Sequence, residues 1–177
     1  MHVDLWKIVI AGVVLLILFT LIMWFAIPGG RHYRKRRIAK RVYGKIQGLD
    51  DRCVIPYLRK IDPYVFEELV LVAFRKKGYR VYRNRRYSGD GGVDGMVRIG
   101  GSKVLIQDKR YGEHICLAHV EAFDEVCRQR KAHGLFIHTG RTGQGSKEVA
   151  WNSPRLDIIS GDRLIALMKK GRPVEFG

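Results

Sequence analysis

Four side chains in residues 87–111 have the types and spacing of a site for a metal ion and a phosphate: Asp90, Asp94, Gln107 and Lys109. Two runs of alternating residues flank Gly100 and Gly101, and this dipeptide suits a two-residue hairpin because glycine tolerates positive φ. On the second strand, Gln107 and Lys109 are two residues apart and share a face, whereas Asp108 turns to the other face. The hairpin would therefore bring an aspartate close to a Gln-x-Lys sequence.

These residue types match the needs of phosphodiester cleavage. A cation must offset the charge on the phosphate and lower the pKa of an attacking water, and Mg²⁺ takes oxygen ligands. Asp94 would supply a charged ligand and Gln107 a neutral oxygen, while Lys109 would stabilise developing negative charge. Glu67, on a preceding helix, would supply a second carboxylate, and Asp90 would shape the loop. By spacing alone, a turn aspartate and a solvated strand lysine remain an alternative.

Secondary-structure patterns predict the elements that position these residues. Strands are predicted at residues 79–83, 93–99, 103–109, 135–139 and 156–160. Helices are predicted at residues 62–77, 117–132, 146–151 and 162–170. In the first of these helices Glu67 lies at the edge of the apolar stripe, and Glu68 lies on the far side. A solvated helix carboxylate is the alternative for either glutamate. The order α-β-β-β-α-β-α-β-α implies an α/β fold with a mixed central sheet and helices on its faces.

Five segments in order resemble the Mrr-type catalytic domain, a branch of the PD-(D/E)xK nuclease superfamily: FEELVLVAFRKKGYRV, GDGGVDG, QDKRY, HTGRTGQGS and IISGDRLIALM. The resemblance covers about residues 63–168. It implies a restriction-endonuclease-like core and a type IV Mrr-like, Mg²⁺- or Mn²⁺-dependent endonuclease that cleaves DNA.

The resemblance also implies roles for individual residues. It gives catalytic and metal-binding roles to Glu67, Asp94 and Gln107, and a catalytic role to Lys109. It implies that the backbone carbonyl of Asp108 is a further metal ligand. The family usually has a small residue at this position, and a carboxylate packed there is costly unless it is paired.

The chain is strongly basic, with 33 lysines and arginines against 17 acidic residues and a net charge of +16. Such an excess favours a polyanionic partner, either DNA or anionic lipid. One set of arginines could hold DNA phosphates beside the site: Arg80, Arg83, Arg85, Arg86 and Arg110. A solvated basic face is an equally good interpretation of this set.

The N-terminal segment predicts a membrane anchor. Residues 8–27 carry no charge, and Trp6 and Trp24 lie near the two ends of this run. The basic block at residues 31–37 marks the cytoplasmic side and would also touch anionic headgroups. We therefore expect a single-pass protein of the inner membrane, with its N-terminus outside and its C-terminal domain in the cytoplasm. A cleaved signal peptide is the weaker alternative, because the run is too long and a basic block follows it.

These patterns predict three regions: an anchor at residues 1–30, a basic juxtamembrane linker at 31–61 and a nuclease domain at 62–177. The three cysteines lack metal or disulfide spacing and are expected to be reduced. His114, Cys116 and His119 are metal-like only in composition, and we expect packing or surface roles. The sequence leaves the oligomeric state open and allows a homodimer. A catalytically impaired DNA tether of the same fold is the alternative function, and a lipid-binding scaffold ranks below it.

Overall fold

A computed structural model describes residues 5–26, 28–83 and 92–176 of the chain. The chain divides into two compact units, Met1–Lys35 and Arg36–Gly177. Asp90, Arg85 and Arg86 lie outside the described residues.

The first unit contains helix α1 (Leu5–Ala26) and the start of helix α2 (Pro28–Gln47). Within α1, residues 6–23 are exposed and almost entirely apolar. Among the described residues this is the one helix long and apolar enough, at Trp6–Met23, to cross a membrane. Length and composition alone do not separate a span from a signal sequence, which has the same properties.

The second unit is built around a five-stranded mixed sheet in the order β1-β2-β3-β4-β5. Strands β1 to β3 are antiparallel neighbours, and β4 and β5 continue the sheet in parallel with β3. The strands are β1 (Arg80–Arg83), β2 (Gly95–Ile99), β3 (Ser102–Lys109), β4 (His133–His138) and β5 (Leu156–Ile159). The helices are the end of α2, α3 (Asp51–Leu58), α4 (Pro63–Lys76), α5 (Leu117–Gln129), α6 (Gln144–Asn152) and α7 (Gly161–Met168). This arrangement confirms the predicted α/β fold and its α-β-β-β-α-β order.

The tight turn between β2 and β3 has the predicted glycine geometry. Gly100 and Gly101 have φ values of 55° and 85°. Two successive positive φ values are typical of the type I′ turn, whose twist matches that of the flanking strands. The turn fixes the register of the hairpin, in which Ile99 pairs with Ser102 and Gly95 pairs with Ile106.

Helix α4 begins as predicted and is then buried on almost every side. Asp62 caps it by accepting a hydrogen bond from the Val65 N–H at 3.1 Å, and Pro63 occupies the first turn. The helix packs on the sheet with one face, and its other side contributes to the same apolar cluster as α2, α3 and α7. The alternative of a solvated carboxylate therefore does not hold for Glu68. Glu68 is 3% exposed, and its Oε2 accepts a hydrogen bond from Arg83 Nε at 2.9 Å.

The segment before α4 contributes to the hydrophobic core, although the sequence suggested only a basic linker. Ala39, Ile46, Val54 and Leu58 are fully buried in the cluster formed with α4 and α7. Polar contacts join the same parts, since Gln47 Nε2 donates to the Met168 carbonyl at 2.9 Å. Residues 39–58 therefore support the helix that carries Glu67. The domain limits drawn from the sequence stay a prediction.

A second apolar cluster fills the opposite face of the sheet, under α5. Leu105, Phe123 and Phe136 are buried there, and the rings of Phe123 and Phe136 are 6.1 Å apart. Alternation along β3 thus sends Leu105 towards α5 and Ile106 towards α4. The same alternation decides which way the polar residues at the end of β3 turn.

Replacing Ile46 by alanine tests the contribution of α2 to the core. Its fully buried side chain would leave a cavity, and we expect the free energy of unfolding to fall by about 2–5 kcal/mol. Lys40→Ala, at an exposed position of the same helix, should change it by less than about 0.5 kcal/mol. Chemical unfolding of the full chain in detergent measures both variants, and equal stabilities would contradict a core role for this segment.

Candidate active site

Asp94 is held at the start of the hairpin by hydrogen bonds to two residues of β3. Its N–H donates to the Ile106 carbonyl, and its Oδ2 accepts the Asp108 N–H, both at 2.8 Å. The Gly95–Ile106 pair closes the ladder next to it, so continuing the register places Asp94 opposite Gln107. The turn and the ladder thus bring together the two sequence segments that were predicted to form the site.

Asp108 is a buried carboxylate on the α4 face of the sheet. The residue is 5% exposed, and neither carboxylate oxygen has a hydrogen-bond partner among the described residues. Burial, reinforced by the charges of Asp94 and Glu67, raises the pKa of Asp108 well above its ordinary value. The sequence-based expectation that Asp108 turns away from Gln107 and Lys109 agrees with this position.

Glu67 approaches the same end of β3 from α4. It lines a cavity of about 280 Å³ together with Asp108 and Lys109. Burial, and then the charge of Asp94, raise the pKa of Glu67 to about 8. Burial also raises the pKa of Asp94, against the opposing effects of the Asp108 N–H and the Lys109 charge. Three carboxylates therefore share a region in which the charge of Asp94 disfavours ionisation of Glu67 and Asp108, and the charge of Glu67 disfavours ionisation of Asp108.

Lys109 brings positive charge into this group of acids. Its ammonium lowers the pKa of Glu67, Asp94 and Asp108. The backbone beyond Lys109 is also fixed, because the Tyr111 N–H donates to Thr139 Oγ1 at 3.0 Å. The lysine thus lies where it can compensate part of the negative charge that the carboxylates concentrate.

Gln107 is buried on the α5 face of β3, opposite to Asp108. Its amide lies so close to the backbone at Gly92 that a Cβ added to this glycine would clash with Gln107 Nε2. Gly92 also has a φ of 82°, so a side chain is disfavoured there for two reasons. Gln107 Oε1 has no hydrogen-bond partner among the described residues. The structure therefore leaves an acceptor available beside Asp94.

The oxygen atoms of these side chains suit a partly hydrated hard cation as ligands. Within residues 5–26, 28–83 and 92–176, no three histidine, cysteine, aspartate or glutamate side chains form a group that could hold a metal ion. Mg²⁺, however, usually keeps several waters and takes one or two carboxylates plus substrate phosphates. The buried Gln107 Oε1, which lacks a partner among the described residues, fits that mode of binding.

The arginines predicted to contact phosphate have different environments. Arg83 is 19% exposed at its side chain and is engaged with Glu68, so we omit it from the proposed DNA contact. Arg80 is exposed on β1 and lies 6.0 Å from the Tyr82 ring centroid. Arg110 is exposed beside the cavity, and its Nη1 donates to the Arg59 carbonyl. Arg85 and Arg86 lie outside the described residues.

The structure adds a pair of residues that the sequence did not single out for the site. The Tyr111 hydroxyl lies 2.5 Å from His119 Nδ1, and both residues line the cavity that contains Glu67 and Lys109. Sequence reasoning assigned His119 a packing or surface role. The sequence contains little indication of this role for His119. The residue lies on α5, and only the fold brings the first turn of that helix to the end of β3.

One comparison with known proteins gives a match. The family model Mrr_cat, described as "Restriction endonuclease", matches residues 58–168. This range is more than half of the chain and contains the elements from the end of α3 to the end of α7. Neither the curated proteins nor the solved structures gave a match.

The stability of the metal-free chain should fall as pH rises. Burial raises the pKa of Glu67 from 4.5 to about 8 and also raises those of Asp94 and Asp108. Above their ordinary pKa values these acids bind more protons in the folded state than in the unfolded state, so their contribution to stability falls as pH rises. The lowered pKa of His138 acts in the opposite direction only below about pH 6.5. Asp108→Asn should weaken this dependence and stabilise the chain at pH 8 by at least about 1 kcal/mol.

Unfolding of the full chain in EDTA, at about pH 5 and pH 8, measures this effect. Asp162→Asn, at an exposed position of α7, provides the matched control and should keep the wild-type pH dependence. Identical pH dependences for Asp108→Asn and the wild type would contradict the proposed electrostatic coupling.

Proposed function

Because the chain belongs to the Mrr-type restriction endonuclease family, we propose that it is a membrane-anchored, divalent-metal-dependent endonuclease that hydrolyses phosphodiester bonds of DNA. The single observation that supports this most strongly is the group formed by Glu67, Asp94, Asp108 and Lys109 at one end of the hairpin. The charge of Asp94 raises the pKa values of Glu67 and Asp108, and the charge of Lys109 lowers those of all three acids, which supports treating the four residues as one group. Perturbed carboxylates beside a lysine are characteristic of catalytic sites.

The proposed metal is Mg²⁺ or Mn²⁺. Asp94, Gln107 and the backbone carbonyl of Asp108 would hold it, and Glu67 would act as an additional ligand. Such a cation would supply charge compensation at the phosphate and lower the pKa of a water. Two observations support these ligands: Gln107 Oε1 has no partner among the described residues, and the pKa of Glu67 is raised to about 8. A bound cation would favour the ionised forms of these acids.

Lys109 would contact the phosphate directly. Its charge already lowers the pKa of the three surrounding acids. In the substrate complex the same ammonium would stabilise the negative charge that develops on the phosphate oxygens. Arg80 and Arg110 are exposed at the described surface and would contribute less specific contacts to neighbouring phosphates.

We further propose that α1 anchors the chain in the inner membrane as a single span. Its exposed apolar run Trp6–Met23 has sufficient length, and the basic block that follows favours a cytoplasmic location for the rest of the chain. Anionic headgroups would interact with this basic block.

Asp108 also supports a second candidate function, a DNA-binding tether with impaired catalysis. Its buried carboxylate has no partner among the described residues and carries a strongly raised pKa. If this charge disturbs metal binding more than it assists it, DNA affinity would remain without cleavage. The two functions predict different effects of the same substitutions.

Purified full-length protein should nick or cut DNA in detergent when Mg²⁺ or Mn²⁺ is present, and EDTA should prevent it. Asp94→Ala and Lys109→Ala should each lower the cleavage rate by roughly 100-fold or more, because they remove charge that acts on the reacting phosphate. Supercoiled and linear DNA, with and without base modification, serve as substrates.

The exposed Asp162→Ala on α7 is the matched control and should cleave at the wild-type rate. Salt-sensitive DNA binding without any divalent-dependent cleavage would support the tether. Equal cleavage by the wild type and Asp94→Ala would contradict the proposed site.

The anchor has its own test. The full chain should sediment with membranes and resist extraction by alkaline carbonate. Leu15→Arg with Leu18→Arg should release it, because arginine at the centre of a span costs about 2.5–3.5 kcal/mol per residue. The same two charges placed on exposed α5, as Glu121→Arg with Ala122→Arg, should leave the chain in the membrane. A mature chain that has lost its N-terminal segment would instead support a signal peptide.

A further inference from the structure

His119 and Tyr111 form a connected pair at the edge of the candidate site. Tyr111 lies two residues beyond the end of β3, and His119 lies in the first turn of α5. Their rings are 6.1 Å apart, and the hydroxyl lies 2.5 Å from His119 Nδ1. Both residues line the cavity of about 280 Å³ that also contains Glu67 and Lys109.

The direction of the Tyr111–His119 hydrogen bond depends on the tautomer of the imidazole. Burial and the charge of Lys109 lower the pKa of His119 and so favour its neutral form. A neutral imidazole that accepts the Tyr111 hydroxyl hydrogen at Nδ1 carries its own hydrogen on Nε2, which is then a donor.

Tyr111 is itself held rigidly by β4 and the segment that follows it. Its N–H donates to Thr139 Oγ1 at 3.0 Å, and the Thr139 hydroxyl donates to the Tyr111 carbonyl at 2.8 Å. The edge of its ring also packs on buried His138, with centroids 6.3 Å apart. A fixed tyrosine gives the histidine a fixed orientation, as a positioning residue should.

We propose that His119 is a substrate-binding residue whose Nε2–H donates a hydrogen bond to a non-bridging phosphate oxygen of DNA, with Tyr111 as its positioning residue. This inference rests on the proposed function, because it takes DNA as the substrate. Phosphate oxygens only accept hydrogen bonds, and the cavity already contains the cationic groups of Lys109 and Arg110. In the proposed tautomer Nε2 carries the ring hydrogen and has no free lone pair for a metal ion.

A neutral donor has a distinctive effect on DNA binding. Each cationic contact to a phosphate releases counterions and contributes about 0.9 to the slope of log affinity against log salt. A neutral histidine adds affinity without adding to that slope. The proposed role of His119 can therefore be separated from that of Lys109 by titration with salt.

The experiment measures binding of fluorescent DNA to the full chain in zwitterionic detergent, with EDTA to prevent cleavage. His119→Ala should weaken binding roughly 10-fold, because it removes a hydrogen bond to a charged group. His119→Gln retains an N–H donor and should stay within about threefold of the wild type. The salt slope should be unchanged in both variants, whereas Lys109→Ala should lower it by about 0.9.

Side-chain ¹⁵N NMR of the free protein provides a second readout. The His119 ring should carry its hydrogen on Nε2 in the wild type, and Tyr111→Phe should remove this preference while the chain remains folded. Wild-type affinity in His119→Ala would overturn the inference. So would a salt slope lowered by about 0.9 in that variant, since it would identify His119 as a cationic contact.

The outcomes also separate this inference from the proposed function. DNA binding that depends on His119, without any cleavage, would contradict the nuclease and leave the inference standing. Divalent-dependent cleavage by the wild type, together with wild-type DNA affinity in His119→Ala, would do the reverse. A wild-type chain with no affinity for DNA would overturn both.

Discussion

The hydrogen bond from the Asp108 N–H to Asp94 Oδ2 is the contact on which the geometry of the site depends. It joins Asp94, directly before β2, to Asp108 near the end of β3, beyond the last backbone pair between these two strands. A backbone donor to a carboxylate contributes about 1.5–3 kcal/mol, and it favours ionised Asp94 against the opposing effect of burial. The alternation along β3 turns the Asp108 side chain towards α4 while its N–H binds Asp94.

Two successive glutamates of α4, Glu67 and Glu68, have different electrostatic surroundings. Glu68 is buried, but Arg83 binds it at 2.9 Å and Arg36 lies 3.9 Å away. Glu67 faces other carboxylates, and the lysine nearby does not prevent a rise of its pKa to about 8. Arginines of the same chain therefore compensate the negative charge of Glu68. The negative charge around Glu67 is not fully compensated within the chain, and a bound cation would compensate it.

Local patterns in the sequence predicted much of the fold and the hairpin. The Asp62–Pro63 start of α4, the Gly100–Gly101 turn and the alternation along β3 depend on neighbouring residues only, and the structure confirms each of them. The burial of Glu68 was not predicted, because a second layer of helices covers the side of α4 that a two-layer fold would expose.

The remaining differences also arise from contacts between distant segments. Residues 39–58 have the composition of a basic linker, yet their few apolar side chains meet α4 and α7. His119 reaches the site only because α5 packs under the sheet with its first turn near Tyr111. Periodicity within one segment contains no information about such partners. The roles of the individual site residues likewise remain predictions from sequence and geometry.

The order of the strands has a consequence for how the site forms during folding. The β2–β3 hairpin is closed by two glycines and involves contacts close in sequence, so we expect it to form within microseconds. The parallel pairing of β3 with β4 requires a crossover through α5 and is intrinsically slower. Asp94, Asp108 and Lys109 would thus be adjacent early in a nascent hairpin. Glu67 and His119 would join them only when α4 and α5 dock, so a partly folded chain would lack the complete site.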